Sequence, residues 1–163
     1  MNTIICTFGK DNKTAIPQIV KAITKNIKGK KIIIDWDIKN ENKGKVKIGD
    51  TVYILIQGVD GVNGNNNSII AKGKLDSLPI KISLGYSINI SLTSWDSKLS
   101  KNPLAKRNTL GVLKRKKHSI LQNESFWTNS FSGQILDPQT AINVNHYYNI
   151  IPSSIMKTQI IPF

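Results

Sequence analysis

Cysteine, histidine and acidic residues are all scarce in this 163-residue chain. A single cysteine, Cys6, excludes an internal disulfide and any cysteine-rich zinc site. It lies in an apolar run, which suits a buried, inert thiol rather than a nucleophile. The only histidines, His118 and His146, stand 28 residues apart, and neither HExxH nor CxxC occurs. A zinc enzyme is therefore not expected, and no motif asks for a cofactor. The first residues, MNTIICTFGK, lack a basic region followed by a long apolar one. No apolar run approaches the ~20 residues that span a bilayer. These absences predict a soluble, cytoplasmic protein. Asp and Glu number 10 against 23 Lys and Arg, for a net charge of +13.

The shortage of acid is uneven. Residues 1–96 carry 14 cations against 8 anions, and residues 119–163 carry one against two. Between Ser97 and Asn123 stand eight cations (Lys98, Lys101, Lys106, Arg107, Lys114, Arg115, Lys116 and Lys117) and no Asp or Glu. Concentrated positive charge points to a binding face for a polyanion rather than to a merely alkaline composition. Tryptophans flank this segment, Trp95 before it and Trp127 after it. Cations beside large planar rings fit nucleic acid, which offers both phosphates and flat bases. The bland alternative is a solvated basic loop.

Catalytic constellations are weak. Asp35 and Asp37 flank Trp36 at a spacing that puts both on one face of a strand, as a magnesium site needs, but no further acid or lysine completes a nuclease array. Gly58, Gly61 and Gly64 recur every third residue without the GK[ST] ending of a phosphate loop. Ser130 lies in no strand–turn–helix context, so it is not a nucleophile elbow.

The hydrophobic pattern predicts strands over 3–8, 31–36, 51–57, 68–75 and 81–94. The last alternates through Ile82, Leu84, Tyr86, Ile88, Ile90 and Leu92, which predicts one buried face. Ile16, Ile19, Val20, Ile23 and Ile27 recur at helical spacing, predicting a helix from about 15 to 28 between Thr14 as cap and Gly29 as stop. Asp137-Pro138 opens a second helix reaching about Ile150. The Gly/Asn-rich stretch 58–67 reads as a hairpin tip, and Thr109–Leu113 leaves room for one more short strand. The sum is a single α+β domain over residues 1–163. Its core is a small curved or closed antiparallel-rich β-barrel of five or six strands, with two or three flanking helices.

One set of segments resembles a known family. Trp36, a polar loop, the strand start Val46-Lys47-Ile48-Gly49-Asp50-Thr51-Val52-Tyr53-Ile54, and the strand Ile69-Ile70-Ala71-Lys72-Gly73-Lys74-Leu75 are similar to the PUA-like superfamily, most of all to its EVE-type domains. Ser132-Gly133-Gln134-Ile135-Leu136 before a helix resembles their closing element. The match covers about half of the chain, and the basic stretch 97–117 has no counterpart in it. The resemblance implies a small barrel that binds DNA or RNA. EVE-type and YTH domains hold a modified base in an aromatic cage, and some serve modification-dependent restriction systems. By position Trp36 carries over to the cage; Trp95 and Trp127 are candidates by residue type. Asp35 or Asp37 would accept a hydrogen bond from an exocyclic amine. No nuclease or NTPase segment accompanies these elements, so an effector of that kind would be a separate chain.

The residues and the resemblance together predict a non-enzymatic reader of a flipped, modified or plain base. Trp36, Asp37, Trp95 and Trp127 would hold the base, and the eight cations would grip phosphates. Stacking contributes roughly 1–3 kcal/mol per base, while extruding one from a duplex costs a few kcal/mol. The phosphate contacts would have to supply the difference. Two rival expectations are a phage or mobile-element protein that binds an acidic partner, and a small metal-dependent nuclease.

Overall fold

The computed structural model describes residues 1–9, 15–25, 30–38, 42–58, 66–101, 109–128 and 133–159. Nine strands and three helices are described: β1 Thr3–Phe8, α1 Ala15–Thr24, β2 Ile32–Ile38, β3 Thr51–Ile56, β4 Ser68–Leu75, β5 Ile80–Ile82, β6 Gly85–Asp96, α2 Ser97–Lys101, β7 Leu113–Lys114, β8 Gln134–Ile135, α3 Pro138–Asn149 and β9 Met156–Thr158. The main sheet runs β2-β6-β4-β3-β1-β8, with β5 and β9 also paired to β6 and β7 to β4.

The twelve-residue β6 is the spine. It pairs with β5 at its start, with β2 over 86–92, with β4 over 90–95 and with β9 at its end. The sheet is mixed, because β1 lies parallel to β3 from Thr3↔Thr51 to Phe8↔Ile56. A parallel neighbour needs a crossover, and the link between these strands holds α1 and β2. The register slips between Ile54 and Leu55 and again between Lys72 and Gly73, and such bulges bend a sheet. At the second, a Cβ on Gly73 would lie 2.5 Å from the Ser91 carbonyl oxygen, so glycine lets β4 and β6 close there. The bent sheet curls until Phe8 of β1 stacks on Trp36 of β2, with centroids 4.1 Å apart and planes 10° from parallel. Strands near the two ends of the path thus meet, and the sheet forms a half-barrel.

The curl separates two cores. Ile4, Cys6, Phe8, Ile34, Val52, Ile54, Ile70, Ile90 and Leu92 fill the inside, with Ile16, Ile19, Val20 and Ile23 of α1 closing one side. Ile5, Tyr53, Leu55 and Ile69 face outward, against Leu113, Leu121, Phe126, Trp127 and the α3 residues Val144 and Tyr148. Strand β1 is covered on both faces and buried at every position, so its sequence, TIICTF, does not alternate between apolar and polar.

Three differences from the sequence expectation follow from the fold. Nine strands replace five or six because β5, β7, β8 and β9 are two or three residues long, too short for periodicity to show. The expected strand 81–94 is two strands around a turn at Leu84, which is 93% exposed. The parallel β1–β3 pair departs from hairpin-like linkage. Helix α1 is described as far as Thr24; Thr14, Ile27, Gly29 and the tip 59–65 lie outside the described residues. Asp137 does cap α3, accepting from the Thr140 amide at 3.0 Å with Pro138 at the first position. Among the described residues no helix is long and apolar enough to cross a membrane.

Candidate anion-binding pocket

The aromatic cage expected from sequence does not assemble, because its members serve different cores. Trp127 has no exposed surface. It lies tilted on Phe126 in the outer core, and its indole N–H donates to the Leu121 carbonyl at 2.7 Å. Trp95 is 7% exposed and belongs to the inner core; its Nε1 has no partner among the described residues. Trp36 is half-buried on Phe8. It sits opposite Ile88 of β6, seven residues from Trp95, or about 23 Å at the rise of a strand. Asp35 and Asp37 are exposed and alternate with Trp36 along β2, so they project from the other face of the strand. Asp37 therefore cannot read a base lying on that ring. The shared reason is that a tryptophan beside polar residues at an element end can still be the residue that seals a core. Among the described residues no three His, Cys, Asp or Glu side chains come close enough to hold a metal ion.

The basic segment does build something. Strand β6 ends in Asp96 and α2 starts at Ser97, while the chain returns through Gly111 and β7. Asp96 is 2% exposed and ties the two passes together: one oxygen accepts the Lys98 amide at 3.0 Å, the other the Gly111 amide at 2.8 Å. Gly111 has φ +146°, and a Cβ there would lie 2.8 Å from the Ser68 side chain, so glycine is required where this loop crosses β4. The Ser97 amide donates to the Ile155 carbonyl at 2.9 Å, which brings in the turn before β9 as a third wall. Between these segments lies a pocket of about 260 Å³ lined by Asp96, Ser97, Lys98, Lys114, Lys117 and Ser154, among others.

Three lysines converge on it. The Lys98 ammonium donates to the Thr109 carbonyl at 2.8 Å, which fixes its position. Partial burial pushes Lys114 below the usual lysine range, and the charges of Lys117, Lys98 and Lys116 push it further against the opposing pull of Asp96. The one ion pair among the described residues is Lys31–Asp76, far from the pocket in sequence. Asp96 is the one acid lining the pocket, so three lysine charges face a single carboxylate.

The eight expected phosphate ligands thus divide. Lys98, Lys114 and Lys117 share the pocket. Arg115 turns into its own loop, its Nε donating to the Gln122 carbonyl at 2.7 Å. Lys116 is exposed beside it. Lys101 ends α2, and Lys106 and Arg107 lie outside the described residues. Asp96 and Gly111, which hold the pocket together, are absent from the sequence expectation. Their signal is the last acid before the cationic run and a lone glycine within it. Ser154 has no such signal, since only the fold brings the C-terminal turn to this place.

The molecule is thus defined as a curled α+β sheet with a cationic pocket at one end of its longest strand. No protein-family model matches the chain, and no curated protein matches it. Among solved structures, that of a hypothetical protein from Leishmania major is similar over 91% of this chain and 95% of its own, with a TM-score of 0.55 and 10% identity. A likeness at that identity is one of fold.

Proposed function

We propose that this protein is a non-enzymatic nucleic-acid-binding module, of the PUA-like, EVE-type kind that its strand motifs resemble. The observation that carries the reading is the pocket of Lys98, Lys114 and Lys117, three lysines gathered about the single carboxylate of Asp96. Like charges brought together in a folded protein oppose its stability unless an anion relieves them. Phosphate is the anion that a chain with this charge and a half-barrel fold would meet along a nucleic acid. Asp35 and Asp37 are exposed, and among the described residues no third His, Cys, Asp or Glu joins them, so this reading gives them no catalytic role.

Trp36 is the least buried of the three tryptophans, and it takes the base-stacking role. Ile88, opposite Trp36, and Asp96, in the pocket, are eight residues apart on β6, about 26 Å along a strand. A bound strand would therefore lie along β6 with a base at one end and a phosphate at the other.

The test is a panel of DNA and RNA oligonucleotides, with plain and modified bases, titrated at two salt concentrations. Neutralising Lys98, Lys114 and Lys117 to Gln should weaken binding to every sequence alike. For every phosphate no longer neutralised, the slope of log K against log salt should become shallower by about 0.7–0.9. An unchanged slope overturns the reading. A protein that binds no oligonucleotide, yet retains one acidic protein at salt that strips DNA, would instead be the partner-binding module.

A further inference from the structure

We infer that the pocket between α2 and β7 receives a terminal phosphate, the monoester at the end of a nucleic-acid strand, rather than a diester within it. The inference rests on the nucleic-acid reading above and specifies what its phosphate site selects. Its first support is charge. Three ammonium groups face one carboxylate, and both oxygens of that carboxylate already accept backbone amides. The pocket therefore carries an excess of two positive charges. A diester within a strand brings one negative charge, while a phosphate monoester brings about 1.5–2 at pH 7 and offers three terminal oxygens. The monoester matches both the charge and the number of ammonium donors.

The second support is construction. The walls come from three stretches far apart in the chain, at 96–98, 111–117 and 154–155. They are joined by Asp96, by the hydrogen bond from the Ser97 amide to the Ile155 carbonyl and by the pairing of Asp96 with Met156 in β9. Lys98 is held by the Thr109 carbonyl. At Gly111 a side chain would come within 3.0 Å of Lys114 Cε, so the bare backbone leaves room for that lysine. Lys98 is thus positioned, and Lys114 given room, before any ligand arrives, which lowers the cost of binding. A recess of about 260 Å³ closed by a third wall suits a strand end, whereas an internal phosphate must let the chain enter and leave.

The experiment compares one oligonucleotide in three forms, with a 5′-phosphate, with a 3′-phosphate and with neither, by fluorescence anisotropy. A nucleoside monophosphate serves as competitor. One phosphorylated form should bind roughly ten-fold tighter than the bare strand, the worth of one further charge-assisted hydrogen bond. Lys114→Gln with Lys117→Gln should abolish that gain, and so should Ser154→Glu, which places a negative charge on an exposed wall residue. Circular dichroism confirms that each variant folds. Equal affinity for all three forms overturns the inference and leaves the nucleic-acid reading standing. A gain that survives in both variants moves the terminal-phosphate site elsewhere and overturns the assignment. A monophosphate that competes as well as the phosphorylated strand makes this a site for free nucleotides. Binding of no form removes the nucleic-acid reading together with the inference.

Discussion

The space inside the curl and the layer outside it are built from different residues for different ends. Inside, aliphatic side chains dominate, and the strands supply them as isoleucine and valine, whose branched Cβ suits a pleated surface. Outside, the large side chains are aromatic, and each with a polar atom has somewhere to put it. The Tyr53 hydroxyl donates to Asn145 of α3, the Tyr148 hydroxyl meets Ser94 Oγ at 2.7 Å, and Trp127 donates to Leu121. Lys72 lies over both tyrosine rings, 5.6 and 5.7 Å from their centroids. The inner core closes the sheet on itself, whereas the outer layer fastens chain that has little regular structure of its own. Residues 109–128, which carry Lys114 to Lys117, are held down by Leu113, Leu121, Phe126 and Trp127. The aromatic outer layer therefore holds down the segment that brings Lys114 and Lys117 to the pocket.

Removing the anchor should give the largest effect. Trp127→Ala deletes a fully buried indole and strands the Leu121 carbonyl, and should cost about 3–5 kcal/mol in denaturant unfolding. A residue that belonged to a base cage would show the opposite pattern, with stability kept and binding lost. A loss below about 1 kcal/mol would mean that the outer layer is not a core at all.

Alkali separates the two regions by a different route, because the two tyrosines whose ionisation burial opposes most sit in the outer layer. Burial holds both Tyr53 and Tyr148 well above the ordinary tyrosine value of 10.0. Above that value the unfolded chain gives up two protons that the native state keeps. The unfolded state then binds fewer protons, and stability falls by about 1.4 kcal/mol per tyrosine for each pH unit. Lys72 and Lys114 work the other way. Their lowered values leave the native state with fewer protons just below the ordinary lysine value of 10.5, so stability rises slightly as pH approaches it. Unfolding midpoints measured across this range should show a shallow rise and then a steep fall. Tyr53→Phe with Tyr148→Phe should flatten the fall; a fall that persists in the double variant places its source elsewhere.

The two regions are unequally legible. The inner strands can be read from sequence because isoleucine, valine and threonine cluster in them between glycine or polar residues, and for β1 and β4 the reading matches to the residue at Thr3–Phe8 and Ser68–Leu75. Helix α3 is readable from Asp137-Pro138 alone, although it packs through few large side chains. The outer layer is not readable. Trp127 stands among Ser, Asn and Thr in sequence, and its burial depends on Leu121 and on Asn67, whose side chain donates to the Trp127 carbonyl. Nothing local encodes those meetings. The cationic character of the pocket is plain from residues 98–117, but its shape is not, because Asp96, Gly111 and the C-terminal turn converge only through the register of β6 with β4 and β9. Alternation through Ile82 and Leu84 misleads for a related reason: a hairpin turn can carry an apolar residue, and Leu84 stays exposed there.

Trp36 tests the comparison at its boundary, since it belongs to the inner core and yet keeps exposed surface. Its loss should be milder for folding than that of Trp127. The ring is half-buried and stacks on Phe8 at the edge of the inner core. Trp36→Ala should cost about 1–2 kcal/mol of stability, a stacked pair plus partial burial, well short of Trp127→Ala. If the open face takes a base, the same change should remove roughly 1–3 kcal/mol of binding and narrow the preference between modified and plain bases. Trp36→Phe should restore most of the stability and part of the binding, because a smaller ring still stacks on Phe8. Unchanged affinity of Trp36→Ala for every oligonucleotide makes the ring a stopper for the curled sheet and nothing more, and phosphate contacts alone would then account for recognition.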